Sequence, residues 1–335
     1  MYNSGRMRSE EKINTSVFGV ILAVIAAMAY GTIPVFSKAI LQTGMSAVTI
    51  LCYRHFICVI LLGMICFKRA HRVEKWSGRH SGRAHNTAEE SDICAERSHI
   101  SVKGKTDISL VYIQWALLGA FVYAVQSGLY MLAIERTEAS ITTMLFCTYP
   151  LFVPVLMVLF GHEKISPIVF ICSLCALGGL WLLLGTRAGL EFHIGMAFGL
   201  SAGFIYAAYI FLGSRIKSDG IDAITKTLCV LFGAFLAFTA AGLVTHSLEF
   251  HMTMRAAVIL AGMALMCNIL STVCFWKSVA YIGATRASLI GILEPVTSMI
   301  LTVLILHESL NARQWIGIVV ILLSISIVQV MEGRE

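Results

Sequence analysis

Apolar runs of about twenty residues recur along nearly the whole chain, separated by short polar stretches. A bilayer core takes roughly 20 apolar residues per helix. The pattern predicts ten spans: Ser16–Phe36, Ser46–Phe67, Ser109–Ala133, Ala139–Phe160, Ile168–Gly185, Ile194–Gly213, Ala223–Val244, Ala256–Val279, Ala287–Leu306 and Gln314–Met331. The expected fold is an all-α membrane protein. Residues 1–15 form a short tail, and 68–107 is a polar interruption with nine basic and six acidic residues. The first span follows a basic segment, as a signal peptide would, but it has no evident small-residue cleavage site and its pattern recurs later, so it is kept as a span.

Composition narrows the class. Of 335 residues 58% are hydrophobic and 13% charged, with a mean hydropathy of +0.82, against about 25% charged in soluble domains. Little chain remains for a soluble domain, so function is expected within the helices. An even number of spans puts both termini on one side. That side carries 17 Lys and Arg against 5 on the other, which predicts cytoplasmic termini in the plasma membrane. The net charge of +6 thus follows membrane topology, and no nucleic-acid site is read. Nine of the ten cysteines lie in apolar runs, where Cys behaves as a small hydrophobe. Cys172 and Cys175 form a C-x-x-C without a βαβ context or a second pair, so no metal or cofactor is expected.

The chain repeats itself. "FCTYPLFVPVLMVLFGHEKI" lines up on "GILEPVTSMILTVLILHESL" at an offset of 145, matching Pro150 with Pro295, Leu156 with Leu301, Val158 with Val303 and His162-Glu163 with His307-Glu308. Earlier, Gly19 meets Gly195, Tyr30 meets Tyr206, Ala47 meets Ala223 and Thr49 meets Thr225, at an offset of 176. The 31-residue difference is accounted for by the polar 68–107 insertion. Two halves, 16–185 and 194–331, of five spans each, an odd number, enter the membrane from opposite sides. This 5+5 inverted-topology repeat is a feature of secondary transporters, in which related halves exchange conformations around a central site.

The ten-span inverted layout, "AMAYGTIPVFSK" in the first span, "CYRHF" in the second, and the paired "YPLFVPVLMVLFGHE" and "EPVTSMILTVLILHE" resemble EamA-type members of the drug/metabolite transporter superfamily. The resemblance implies a secondary carrier with a central cavity that exports amino acids, related metabolites or amphipathic toxic compounds. Tyr30-Gly31 stands where that family often has Trp-Gly, which keeps an aromatic wall but changes its chemistry. The long loop at 68–107 also departs from the family's short connection.

Candidate chemistry centres on two charges inside spans. Glu294 lies eight residues from Arg286 and thirteen from His307, near mid-membrane at about 1.5 Å per residue. An acid there costs roughly 2.5–3.5 kcal/mol on insertion scales, so it must face away from lipid. It reads either as a proton or substrate-ammonium site, or as a pin repairing the Pro295 break or pairing a buried Arg. The first-half match is Tyr149, not an acid, which favours function. Arg54 either binds a substrate carboxylate through its planar fork or is a structural partner of Glu294 or of helix-end carbonyls.

Pro34, Pro150 and Pro295 mark expected breaks or hinges, and Pro154 a kink. Tyr30, Tyr206, Tyr123, Gln126, Tyr149 and Asn268 are candidates to line a cavity, with Tyr30 and Tyr206 expected to face each other. Lys226 and Lys277 are expected to snorkel. Gly195, Gly199 and Gly203 form a small-residue stripe suited to helix packing, and a homodimer through it stays open. Glu163 and Glu308 end their spans as gates or loop anchors, without enough ligands for zinc. The loop residues His71, His80, His85, Cys94 and His99 are read as part of a solvated insertion.

The expected function is movement of a small organic metabolite, an amino acid or related compound, by alternating access, with proton coupling through Glu294 as a hypothesis. The bilayer, the substrate and protons are the partners. A receptor or scaffold signalling through 68–107 is the alternative. A membrane-embedded enzyme is a further rival, but it needs clustered acids or histidines and the spans hold a single mid-membrane acid.

Overall fold

A computed structural model describes residues 2–80, 105–137, 139–160, 166–184, 194–218, 221–249, 252–306 and 312–332, with no strand among them. Seven helical stretches are long and apolar enough to cross a membrane: Thr15–Leu41, Ala47–Arg69, Ser109–Arg136, Ile194–Arg215, Ala223–Val244, Met254–Ile282 and Ala284–Leu301. Three shorter apolar helices join them, Tyr149–Leu159, Pro167–Leu182 and Ala312–Val328. The protein is a multi-pass membrane protein. Helices satisfy their own backbone groups, as lipid demands, and large apolar side chains such as Phe67, Phe121 and Val244 point outward.

In chain order the helices are α1 (Tyr2–Tyr30), α2 (Ile33–Leu41), α3 (Ala47–His80), α4 (Lys105–Leu117), α5 (Ala124–Arg136), α6 (Ala139–Phe146), α7 (Tyr149–Leu159), α8 (Pro167–Leu184), α9 (Ile194–Arg215), α10 (Ala223–Val244), α11 (Met254–Met263), α12 (Ser271–Ile282), α13 (Ala284–Ile290), α14 (Leu293–Leu306) and α15 (Ala312–Glu332). Helix begins at Tyr2, so the expected tail is largely an extension of the first span. Likewise α3 runs thirteen residues past its expected end at Phe67, into the polar insertion. Hydropathy marks where lipid ends, and a helix is free to continue into water. Glu163, Glu308, His85, Cys94 and His99 lie outside the described residues.

The spans expected over 16–36, 139–160 and 287–306 are each two helices. They break at Gly31-Thr32, Cys147-Thr148 and Gly291-Ile292. Each break precedes a proline, Pro34, Pro150 or Pro295, whose missing N–H removes a helix bond and whose ring crowds the previous turn. Local groups take up part of the loss: Thr32 Oγ1 donates to Ala29 O at 2.6 Å, Thr148 Oγ1 to Leu145 O at 2.7 Å, and Glu294 N to Gly291 O at 2.9 Å. Pro154 sits inside α7.

Two more spans carry π-helical turns, Leu118–Tyr123 between α4 and α5 and Ala264–Leu270 between α11 and α12. Such turns are rare and recur at functional sites. Glycines set the closest approaches. A Cβ on Gly119 would overlap the Val230 carbonyl, and one on Gly233 the Ala116 carbonyl, so the π turn and α10 meet backbone to backbone. The 195/199/203 stripe packs within the chain, where a Cβ would meet Thr137, Leu145 and the Phe146 carbonyl respectively. Occupied in this way, the stripe offers no free face to a second copy.

Candidate functional site

The helix breaks and π turns converge on one cavity. Its walls are Tyr30 and Ile33 on either side of the first break, Arg54 from α3, Tyr123 from the first π turn, Gln126, Ser127, Tyr130 and Met131 from α5, Phe146 from α6, Tyr206 from α9, Asn268 from the second π turn, and Glu294 at the start of α14. The space open to the centre of a water-sized sphere is about 30 Å³, where a single water needs about 10–15 Å³. In this conformation the cavity has room for about two waters.

Seven of the eight residues read as a pathway border this space. The eighth, Tyr149, stands one layer back: its ring lies 4.8 Å from that of Tyr206 and 5.4 Å from Phe146, and its hydroxyl occupies the space where a Cβ on Gly291 would lie. Tyr30 and Tyr206 do face each other, edge to face, with centroids 6.4 Å apart and planes at 82°. The Tyr30 hydroxyl meets Thr272 Oγ1 at 3.1 Å, which fixes the ring at the break. Aromatic edges and faces of this kind form a stiff, weakly polar lining.

Glu294 is 2% exposed, and its Oε1 has no hydrogen-bond partner. Arg54, 5% exposed, belongs to the same cavity. The two are not within the 4.0 Å of an ion pair, so neither is the other's structural partner. Arg54 Nη2 donates to Ser127 Oγ at 3.3 Å. With the Asn268 amide turned to satisfy both of its ends, the side-chain oxygen accepts from Arg54 Nε at 3.2 Å and the nitrogen donates to Cys267 O at 3.3 Å. A buried charge without a partner is costly, and the Tyr130 and Tyr206 hydroxyls of the same cavity are likewise without a partner among the described residues. The site thus offers an acceptor at one wall, a guanidinium at another and aromatic rings between them.

Five wall residues were missed by the sequence reading, Ile33, Ser127, Tyr130, Met131 and Phe146. A signal existed for one: Tyr130 is one turn beyond Gln126 and shares its face. Also missed was His55, fully buried behind the wall, with Nδ1 2.6 Å from Leu51 O and its ring stacked on Phe238 at 5.3 Å. Lys277 is exposed, and Lys226 holds its ammonium 5.6 Å from the centre of the Trp115 ring. Among the described residues no three His, Cys, Asp or Glu side chains gather as a metal site, and Cys172 and Cys175 are free thiols.

Known proteins resemble the chain in sequence and in fold. A sequence model of the EamA-like transporter family matches residues 17–185 and again 193–330. The chain is 24% identical over 333 residues to the uncharacterized transporter YcbK of Bacillus subtilis (strain 168), covering 93% of each protein. It is 23% identical over 215 residues to an uncharacterized transporter of Clostridium kluyveri, covering 62% of this chain and 69% of that one. A crystal structure of a protein shares the fold with a TM-score of 0.64 at 13% identity, over 94% of this chain and 98% of that one.

Proposed function

The chain belongs to the EamA-like transporter family, and from that premise we propose that it is a secondary carrier that exports a small organic metabolite, an amino acid or a close relative, across the plasma membrane. In this reading ten spans form two inverted five-helix halves with both termini cytoplasmic, and alternating access exposes the central cavity to each side in turn. The family model's two successive matches, one per half, and the relatives described as transporters support it.

The observation that carries the assignment is the unpartnered Oε1 of Glu294 in a cavity shared with, yet not paired to, Arg54. A zwitterion satisfies both walls, its ammonium on Glu294 and its carboxylate on the free donors of Arg54, a planar fork suited to carboxylates. With no substrate present a proton takes the ammonium's place on Glu294, which couples transport to protons. This role needs no chemistry on the substrate, and the protein acts as a carrier and not as an enzyme.

The test is efflux from proteoliposomes loaded with a mixture of radiolabelled amino acids. An inward proton gradient should drive release by wild type and not by Glu294→Gln. Release equal to that of protein-free liposomes in both cases would remove the amino-acid reading.

A further inference from the structure

The polar groups of the cavity fall into two sets. One set is already bonded: Arg54 donates to Ser127 Oγ and to the Asn268 side-chain oxygen, and the Tyr30 hydroxyl meets Thr272 Oγ1. The other set is three oxygens, Glu294 Oε1 and the hydroxyls of Tyr130 and Tyr206, each buried without a hydrogen-bond partner among the described residues. Thr143 is a neighbour of Tyr130, and Tyr30 of Tyr206, but neither brings a partner into hydrogen-bonding geometry with these hydroxyls. Unpartnered buried polar atoms also occur at Ser37, His55, Trp115, Thr137, Thr142 and Ser278, and none of those residues borders the cavity.

Packing joins the three. Phe146 packs against both tyrosines, its ring centroid 5.0 Å from that of Tyr130 and 5.2 Å from that of Tyr206. The Tyr206 ring in turn meets Tyr30 at 6.4 Å. The next residue, Gly31, lies so close to the start of α14 that a Cβ on it would stand 2.7 Å from the Glu294 carbonyl. The space these residues border has room for about two waters, and an ammonium head is about as large as one of them.

The chemistry of the three oxygens sets the ligand group. Hydroxyls serve donors and acceptors alike, but the carboxylate attracts a cation and repels an anion. A primary ammonium carries three N–H donors, one for each oxygen. A quaternary ammonium carries none. The rings of Tyr30, Tyr123, Tyr130, Phe146 and Tyr206 suit its charge, but all three oxygens then stay unpaired, which is costly for buried groups.

Resting on the amino-acid carrier reading above, we propose that Tyr130, Tyr206 and Glu294 form a three-acceptor seat for a primary ammonium, so that the protein selects free amino acids and rejects their N-trimethylated, betaine forms. Arg54 takes the carboxylate of both forms alike, and discrimination rests on the ammonium. A site built to hydrogen-bond a substrate N–H rejects the analogue that lacks it, because the site's own polar groups are left unpaired. Tyr130 and Tyr206 are thus specificity-determining residues.

The experiment is proton-driven efflux from proteoliposomes of full-length protein, loaded either with radiolabelled glycine, alanine, leucine and phenylalanine or with the N,N,N-trimethyl derivatives of the same acids. Wild type, Tyr130→Phe and Tyr206→Phe are compared, with thermal unfolding of each in detergent. Both variants keep the ring and remove an unpartnered hydroxyl, so their Tm should match or exceed that of wild type. Wild type should release the free acids at least about tenfold faster than the trimethyl set, and each variant should slow the free acids about tenfold while leaving the trimethyl set unchanged. Release of the trimethyl set as fast as the free acids, or a ratio between the sets that the variants leave unchanged, overturns the seat and leaves an amino-acid carrier. A lower Tm in both variants shows that the hydroxyls serve the fold and overturns the seat likewise. Release of neither set above protein-free liposomes overturns the amino-acid reading, and the seat with it.

Discussion

Replacing Glu294 separates a transport site from a structural pin, because the two roles predict opposite changes in stability. Its Oε1 is buried with no hydrogen-bond partner, and Arg54 is engaged with Ser127 and Asn268 instead. Leaving one buried polar atom unsatisfied costs about 1–3 kcal/mol, and a substitution of similar volume costs up to about 1.5 kcal/mol in fit. Glu294→Leu should therefore be neutral or more stable by about 1–2 kcal/mol, while transport is lost. The assay is thermal unfolding of purified protein in detergent, followed by tryptophan fluorescence, alongside efflux from proteoliposomes. A carboxyl kept for structure gives the reverse, a loss of about 1–3 kcal/mol as its partner is orphaned. A drop in Tm for Glu294→Leu with transport retained would refute the reasoning.

Other substitutions test the packing around the site. Arg54→Ala removes a charged donor from the buried Asn268 and from Ser127 and should cost about 1.5–3 kcal/mol, with Arg54→Lys between it and wild type, read from the same unfolding curves. Gly233→Ala pushes a methyl into the Ala116 carbonyl and should cost about 1–3 kcal/mol. Gly63→Ala, in the same membrane and with nothing within 4 Å of its new Cβ, should be neutral or gain about 0.5–1 kcal/mol. Deleting residues 72–104 should leave efflux within about twofold of wild type; a receptor that signals through that loop would lose its partner in a pull-down while its helices stay folded.

The bilayer made much of the fold legible. A helix facing lipid has to be apolar for its whole crossing, so the apolar runs marked the seven long helical stretches and the three shorter apolar helices, and Arg54 and Glu294 stood out as charges within such runs. The repeat offset then pointed to Tyr30 with Tyr206, and the structure places those rings against each other. What hydropathy does not encode is which way a side chain faces. Tyr130 and Phe146 face the cavity while Phe121 faces outward, yet all three sit in equally apolar surroundings in the sequence. Nor does it encode backbone irregularity. The prolines signalled breaks, but the turns fall two to four residues before them, and at two of the three Gly31 and Gly291 accept the close approach of the Glu294 carbonyl and the Tyr149 hydroxyl. The π turns had no local signature, although they lie within about two residues of the 145-residue offset. Arg54's true partners were hidden for the same reason: Ser127 and Asn268 are a span or more away in sequence, and only packing brings them together.

The central claim is that Glu294 serves a transported molecule. Untargeted metabolite profiling, inside and outside cells expressing wild type, Glu294→Gln or an empty vector, with insertion of both proteins confirmed, tests it most directly. The account predicts that one class of amines or amino acids leaves the wild-type cells alone and accumulates inside the other two. Equal profiles for well-inserted wild type and vector, or equal export by wild type and Glu294→Gln, would contradict it.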